Sequence, residues 1–214
     1  MRPVTVTVGP VGTVSATNIA LSQTPGAAGA LTLNGALVTG GVAVLPTPQR
    51  VKVTTTDTTH TFTITGTTPT GAALSEVVTS NGTSVQSMLD YSTVTSIVIS
   101  GAATGAVTVG TSGVASTPWV RFDDYAPAPV SIQCDVTGTV NYTIQQTLDD
   151  PNSATNPVTP SAVTWIATSD PAGVGATGAI QSNYAYAPIF ARVLLNSGTG
   201  SVTATFLQLG ATPY

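Results

Sequence analysis

Few residues of this 214-residue chain have the chemistry of a catalytic or metal-binding site. The single histidine, His60, lies in the stretch HTFTIT (60–65), and the single cysteine, Cys134, shares a predicted strand face with Ile132 and Val136. A zinc site needs three or four ligands, and a cysteine nucleophile needs a nearby histidine base. The sequence therefore favours an ordinary strand position for His60 and a buried, inert thiol for Cys134. The alternatives are a catalytic or metal-binding His60 and a nucleophilic Cys134.

Two pairs of adjacent acids are the next candidates, Asp123-Asp124 and Asp149-Asp150. Neighbouring side chains on a strand point to opposite faces, so acid–base catalysis by either pair would require a loop geometry. Asp149, Asp150 and Asn152 could supply loop oxygens to a calcium ion, although their spacing is not that of an EF-hand. The sequence favours a simpler interpretation, in which these residues solubilise loops and start turns.

Aromatic side chains could form a platform on which sugars stack, and the chain offers five candidates: Trp119, Tyr125, Trp165, Tyr184 and Tyr186. Aromatic residues make up only 6% of the chain, so the sequence favours the core and interfaces of a small β domain for them. The chain contains no G-x-S-x-G, P-loop or H-E-x-x-H pattern, and GVGATG (173–178) is not placed in a βαβ unit. We expect no enzymatic activity, and we assign no catalytic, cofactor-binding or metal-binding residue.

The charge content excludes some classes of partner. Five basic residues scattered over the chain cannot neutralise a nucleic-acid backbone, so nucleic acid is not an expected partner. The stretch 26–46 is uncharged, but glycine, threonine and asparagine interrupt it, whereas a membrane helix needs about 20 predominantly apolar residues. The N-terminus also lacks the apolar stretch of a signal peptide. We therefore expect β strands in 26–46 and no membrane partner.

Apolar and polar residues alternate with the period of two that is typical of strands, and no segment shows a sustained helical period. The sequence predicts an all-β fold with two antiparallel β-sandwich or jelly-roll-like domains, residues 1–115 and 116–214, divided near GVASTP (113–118). Segments rich in glycine predict hairpin turns at 64–72 and 99–106. Two further hairpins are predicted at 129–151 and 189–209.

Several stretches resemble segments of small β-rich structural proteins of tailed bacteriophages. These stretches are ITGTTPTGAALSEVVT (64–79), STVTSIVISGAATGAVTVGTSG (92–113), TPWVRFDDY (117–125), YTIQQTLDDP (142–151) and NYAYAPIFARVLLNSGTGSVTATFLQ (183–208). The resemblance covers most of the chain from about residue 50 onward.

The resemblance implies a virion protein, foremost a capsid decoration or cement protein, with a tail or head-fibre subunit as the alternative. A carbohydrate-binding module is the alternative from another class. As a virion component the chain would contact the major capsid protein or other virion proteins and form a homo-oligomer, by analogy a trimer. The N-terminal domain would anchor and oligomerise, and the C-terminal domain, which carries the whole net charge of −4, would face outward.

Overall fold

The computed structural model describes residues 3–123, 126 and 129–208. These residues form two compact units. The N-terminal unit is Gly12–Gly113, and the C-terminal unit combines the residues up to Val11 with those from Val114 onward. Among the described residues, no helix is long and apolar enough to cross a membrane.

The strands of the first half are, in chain order, β1 (Val4–Val8), β2 (Ser15–Gln23), β3 (Gly29–Ala30), β4 (Val38–Thr39), β5 (Val42–Gln49), β6 (Val51–Thr55), β7 (Thr61–Thr67), β8 (Ala73–Thr79), β9 (Ser84–Gln86), β10 (Tyr91–Ile99) and β11 (Val107–Thr111). Those of the second half are β12 (Ala115–Ser116), β13 (Val120–Arg121), β14 (Val130–Thr137), β15 (Val140–Thr147), β16 (Ile166–Ala167), β17 (Ile180–Tyr184), β18 (Phe190–Gly198) and β19 (Ser201–Gln208). Two 3-10 turns, Pro160–Ala162 and Pro171–Gly173, lie in the loops of the second half.

The N-terminal unit is a sandwich of two antiparallel sheets. One sheet has the strand order β4-β5-β10-β7-β8, with β3 also paired to β10, and the other has the order β2-β11-β6-β9. The alternating pattern of β7 turns Phe62 and Ile64 inward, where they share one buried cluster with Val51 and Val53 of β6. Burial of these side chains between the sheets is the main source of stability for the unit.

The C-terminal unit is a second sandwich, with sheets of order β1-β19-β14-β17 and β12-β18-β15-β16, the latter with β13 beside β18. Ile132 and Phe206 from the first sheet and Tyr142, Ile144 and Val193 from the second lie in one core cluster. The prediction of an all-β fold built from antiparallel sandwiches is confirmed by these two units.

The first strand belongs to the C-terminal unit, although the sequence pattern predicts a domain of residues 1–115 that would include it. β1 pairs antiparallel with β19, with Val4 opposite Phe206 and Val8 opposite Val202. The hydroxyl groups of Thr5 and Thr205 lie 3.1 Å apart on the outer face of this pair. Because the valines of β1 add to the core of that sandwich, the N-terminal unit is an insertion between the first two segments of the C-terminal one.

One of the four predicted hairpins is confirmed. β7 and β8 pair along their length around residues 68–72, where Gly71 has a positive φ. The other three hairpins are wrong, because β10 and β11, β14 and β15, and β18 and β19 lie in different sheets of their sandwiches. In each case the chain passes from one sheet of the sandwich to the other instead of forming a hairpin within one sheet. Alternate side chains point into the core in either arrangement, so the sequence pattern is the same.

Candidate interaction surface

His60 precedes β7 and is paired with Asp57. Its Nδ1 lies 2.7 Å from Oδ2 of Asp57, whose side chain is fully buried. The Asp57 carboxylate also accepts hydrogen bonds from the backbone amides of Thr59 and Thr104, at 2.8 and 3.2 Å. The Thr59 amide, together with His60 and Thr104, holds the pKa of Asp57 well below its usual range, against the opposing effect of burial.

The Asp57–His60 pair was not predicted from the sequence, although a spacing of three residues across a turn could have suggested it. An aspartate on Nδ1 fixes the imidazole as it does in a Ser-His-Asp triad. Here, however, Nε2 packs closely over Gly101, where an added Cβ would overlap the ring. The Asp57 carboxylate also accepts the amide hydrogen of Thr104. The pair therefore ties the turn before β7 to the loop after β10.

Cys134 lies on β14 in the core of the C-terminal unit and is fully buried. Burial raises the pKa of its thiol to about 11. A thiol in this environment is protonated at neutral pH and shielded from solvent, in agreement with the predicted inert residue.

The carboxylates of Asp149 and Asp150 bind groups of the protein itself. Asp149 Oδ2 accepts a hydrogen bond from the Thr164 amide at 2.7 Å. Asp150 accepts one from the Asn152 amide at 2.8 Å and forms a salt bridge of 3.1 Å with Arg121. These contacts are those of turn and loop formation, the interpretation that the sequence favours. Of the other pair, Asp123 is exposed, and Asp124 lies outside the described residues.

The four aromatic candidates that the structure describes do not form an open platform. Tyr184 is buried in the core, and the Arg192 guanidinium lies 4.1 Å from the ring centroid of Trp165. Trp119 contacts Trp165 edge to face, with 5.0 Å between the ring centroids. Tyr186 is 51% exposed and accepts a hydrogen bond from Gln146. The fifth candidate, Tyr125, lies outside the described residues. Of the four described rings, Tyr184 is buried, Trp119 and Trp165 are partly buried and pack against each other, and Tyr186 is exposed.

Among the described residues, no group of three or more His, Cys, Asp or Glu side chains is placed to hold a metal ion. The acids of the N-terminal unit instead bind groups of the protein itself. Glu76 accepts hydrogen bonds from the amides of Met88 and Leu89, at 2.5 and 3.1 Å. Arg50 and Asp90 approach to 4.0 Å with nearly buried side chains. Burial raises the pKa of Glu76 and lowers that of Arg50.

This burial leaves the surface of the N-terminal unit almost without charge. All of Gly12–Gly113 is described, and apart from His60, which is paired with Asp57, its acidic and basic residues are Arg50, Lys52, Asp57, Glu76 and Asp90. The side chains of four of them are no more than 8% exposed, and Lys52 is the exception. The sequence shows low charge but cannot show that the few charges present are turned inward.

One uncharged area is the outer side of the sheet β5-β10-β7-β8, which we call the threonine face. Its rows follow from the strand register: Val98, Thr63 and Val77 form one, Ser96, Thr65 and Ser75 the next, and Thr93, Thr67 and Ala73 a third. Val44 extends the third row through its pairing with Thr93.

The threonine face combines exposed valines with hydroxyl side chains and carries no charge. Val44, Val77 and Val98 are 53%, 59% and 40% exposed. The hydroxyl groups of Thr67 and Thr93 bond to each other at 2.8 Å. The absence of charge lowers the desolvation cost when another protein covers such a surface.

No protein-family model matches this chain, and neither does any curated protein or solved structure.

Proposed function

We propose that this chain is a non-enzymatic structural protein of a tailed-phage virion, which decorates or cements the head through contacts with the major capsid protein or other virion proteins. The observation that carries the proposal is the threonine face on a unit whose surface charge is limited to Lys52. The resemblance of the sequence to small phage structural proteins supplies the kind of partner.

The distribution of charge fits such an arrangement. The exposed charges of the chain lie mainly in the C-terminal unit, where Arg121, Asp123 and Asp135 are exposed. In an assembled particle, the C-terminal unit would remain in solvent while the threonine face of the N-terminal unit contacts the shell. Charged residues are depleted at the centres of protein interfaces because their desolvation is costly.

The first test is the number of copies of this chain per purified phage particle, measured by gel densitometry against the major capsid protein. A ratio near one copy per capsid protein, or a simple fraction such as one third, supports a decoration or cement protein. A handful of copies per particle would indicate a tail or head-fibre subunit instead. Absence from the particle contradicts the proposal and makes sugar binding at Tyr186 the next hypothesis to examine.

A second test addresses the threonine face directly. Val77→Lys and Val98→Lys place charges on either side of Thr63 at exposed positions. Added to particles that lack the protein, these variants should bind at least about tenfold more weakly than the unmodified chain, because a lysine must be desolvated in the contact. Ser84→Lys, on the opposite sheet of the same unit, is the matched control and should bind normally. Equal binding by all three variants would exclude the threonine face as the contact.

A further inference from the structure

β1 is an edge strand whose outer side pairs with no described residue. It lies at the end of the sheet β1-β19-β14-β17, and its register with β19 uses one of its two backbone edges. The other edge therefore presents unpaired amide and carbonyl groups. An edge of this kind is a template for a further strand.

Most other edge strands of the described sheets are short, covered by a neighbouring segment, or carry a buried charge. Residues of the 31–37 segment cover the outer side of β2. The backbone amides of Gly35 and Leu37 donate hydrogen bonds to the carbonyl oxygens of Ile19 and Asn18. β4, β9, β12, β13 and β16 are only two or three residues long, and β8 carries the inward-facing Glu76. β17 has the polar sequence IQSNY. β1 reads VTVTV, with high strand propensity and no charge.

The sequence of β1 reads the same in both directions. Two copies of β1 paired antiparallel about a twofold axis at Val6 would place Val4 opposite Val8 of the second copy, and Thr5 opposite Thr7 of the second copy. The valines would remain on the core side and the threonines on the outer side. Val4 and Val6 are only partly buried within one copy, so the second strand would cover them.

The same pairing extends an existing row of hydroxyl groups. Thr5 and Thr7 already lie 3.1 and 3.0 Å from Thr205 and Thr203. Threonine pairs across strands stabilise a sheet. Pro3 and Pro10, which lack an amide hydrogen, flank β1 and would limit the pairing to the strand itself.

We propose that a second copy of this chain binds at β1, joining the two four-stranded sheets into one sheet across a twofold axis. The inference rests on β1 alone and does not depend on the proposed virion function. A twofold contact predicts dimers instead of the trimer that the phage resemblance implies. Five residues per copy make a small interface, so we expect a weak contact that is strengthened where copies are concentrated on a surface.

The register predicts how paired charges at positions 5 and 7 should behave. The double variant Thr5→Lys/Thr7→Lys places like charges opposite each other twice across the axis, whereas Thr5→Lys/Thr7→Glu places opposite charges there twice. Both variants lose the same hydroxyl contacts to Thr205 and Thr203. Any difference between them in self-association therefore reports the contact between copies.

We would measure the mass of the full chain by sedimentation equilibrium at concentrations up to about 1 mM, where even weak dimers become populated. The expected result is a dimer of twice 21.4 kDa for the unmodified chain. Thr5→Lys/Thr7→Lys should weaken the dimer at least about tenfold relative to Thr5→Lys/Thr7→Glu, and salt should reduce the difference. Tryptophan fluorescence checks that each variant is folded, since Trp119 and Trp165 lie in the same unit as β1.

Three results would overturn the inference. They are a monomer at every concentration, a trimer of the unmodified chain, or equal association of the two double variants. Because none of these measurements involves phage particles, a failure here is separable from a failure of the proposed virion function.

Discussion

Oδ2 of Asp57 lies 2.7 Å from Nδ1 of His60, and the carboxylate also accepts the amide hydrogens of Thr59 and Thr104. One buried acid thus connects the turn before β7 with the loop after β10. The contacts favour the ionised carboxylate in the folded state, which makes the stability of the N-terminal unit dependent on pH.

Asp57 should stabilise the N-terminal unit at neutral pH and lose that effect in acid. Its pKa is lower in the folded state than the value of about 3.9 expected in the unfolded chain, so its contribution is present above that value and is lost as pH falls through the folded pKa. Protonation of Asp57 should therefore lower the urea midpoint of the N-terminal unit below about pH 4, against the opposite effect of Glu76, and Asp57→Asn should remove the contribution of Asp57. Circular dichroism follows both units, and tryptophan fluorescence follows the C-terminal unit, whose midpoint should not respond to Asp57→Asn. An unchanged pH profile in the variant would contradict this role for Asp57.

Replacing Glu76 should test how the N-terminal unit tolerates its buried acid. Glu76→Ala removes the acceptor of the hydrogen bonds from the Met88 and Leu89 amides and leaves two backbone donors without it, so we expect a loss of about 1–3 kcal/mol. Glu76→Gln keeps one carbonyl acceptor and should cost less. Urea unfolding of the two variants gives both values, and equal losses would show that the hydrogen bonds are not the main effect.

Gly66 should not accept a side chain, because it lies where β7 meets the irregular pairing of β10. A Cβ on this residue would overlap the carbonyl oxygen of Thr93. Gly66→Ala should lower the stability of the N-terminal unit by about 1–3 kcal/mol or more. Gly26→Ala is the matched control, since no atom lies within 4 Å of the position that its Cβ would take and its φ is not positive. Similar thermal midpoints for both variants would contradict this packing.

The Cys134 thiol should resist alkylation in the folded protein. Burial raises its pKa to about 11, so at pH 8 only about one thiol in a thousand is ionised, and solvent does not reach it. Iodoacetamide labelling followed by mass spectrometry should therefore be slow in buffer and rapid in urea. Rapid labelling of the folded chain would show that the core around β14 opens readily.

The alternation of residues predicted the strands well but not their partners. In VSIQCDVTGTVNYTI, Cys134 and Tyr142 both point inward, as they would in a hairpin. They belong to strands of opposite sheets, because the chain crosses from one sheet of the sandwich to the other at residues 137–139. A period of two fixes which side chains are buried, and it carries no information on which backbone edge finds which partner.

The contacts that the sequence did not reveal join residues far apart in the chain. β1 pairs with β19, and the Glu76 carboxylate accepts hydrogen bonds from the backbone amides of Met88 and Leu89. In the sequence, Arg50, Glu76 and Asp90 are ordinary charges for which exposure is the default. The uncharged surface of the N-terminal unit follows from their burial and therefore required the fold.

The pairing of β1 with β19 also sets the order in which the chain can fold as it is synthesised. The ribosome makes the whole N-terminal unit before it makes any later strand of the C-terminal sandwich, so the inserted unit can fold while β1 still waits for its neighbour. Val8 and its partner Val202 are separated by the entire inserted unit, and the closure of this contact comes last. During that interval both backbone edges of VTVTV (residues 4–8) are unpaired. Nascent chains made from the same mRNA are therefore most prone to pair with each other before the C-terminal sandwich is complete.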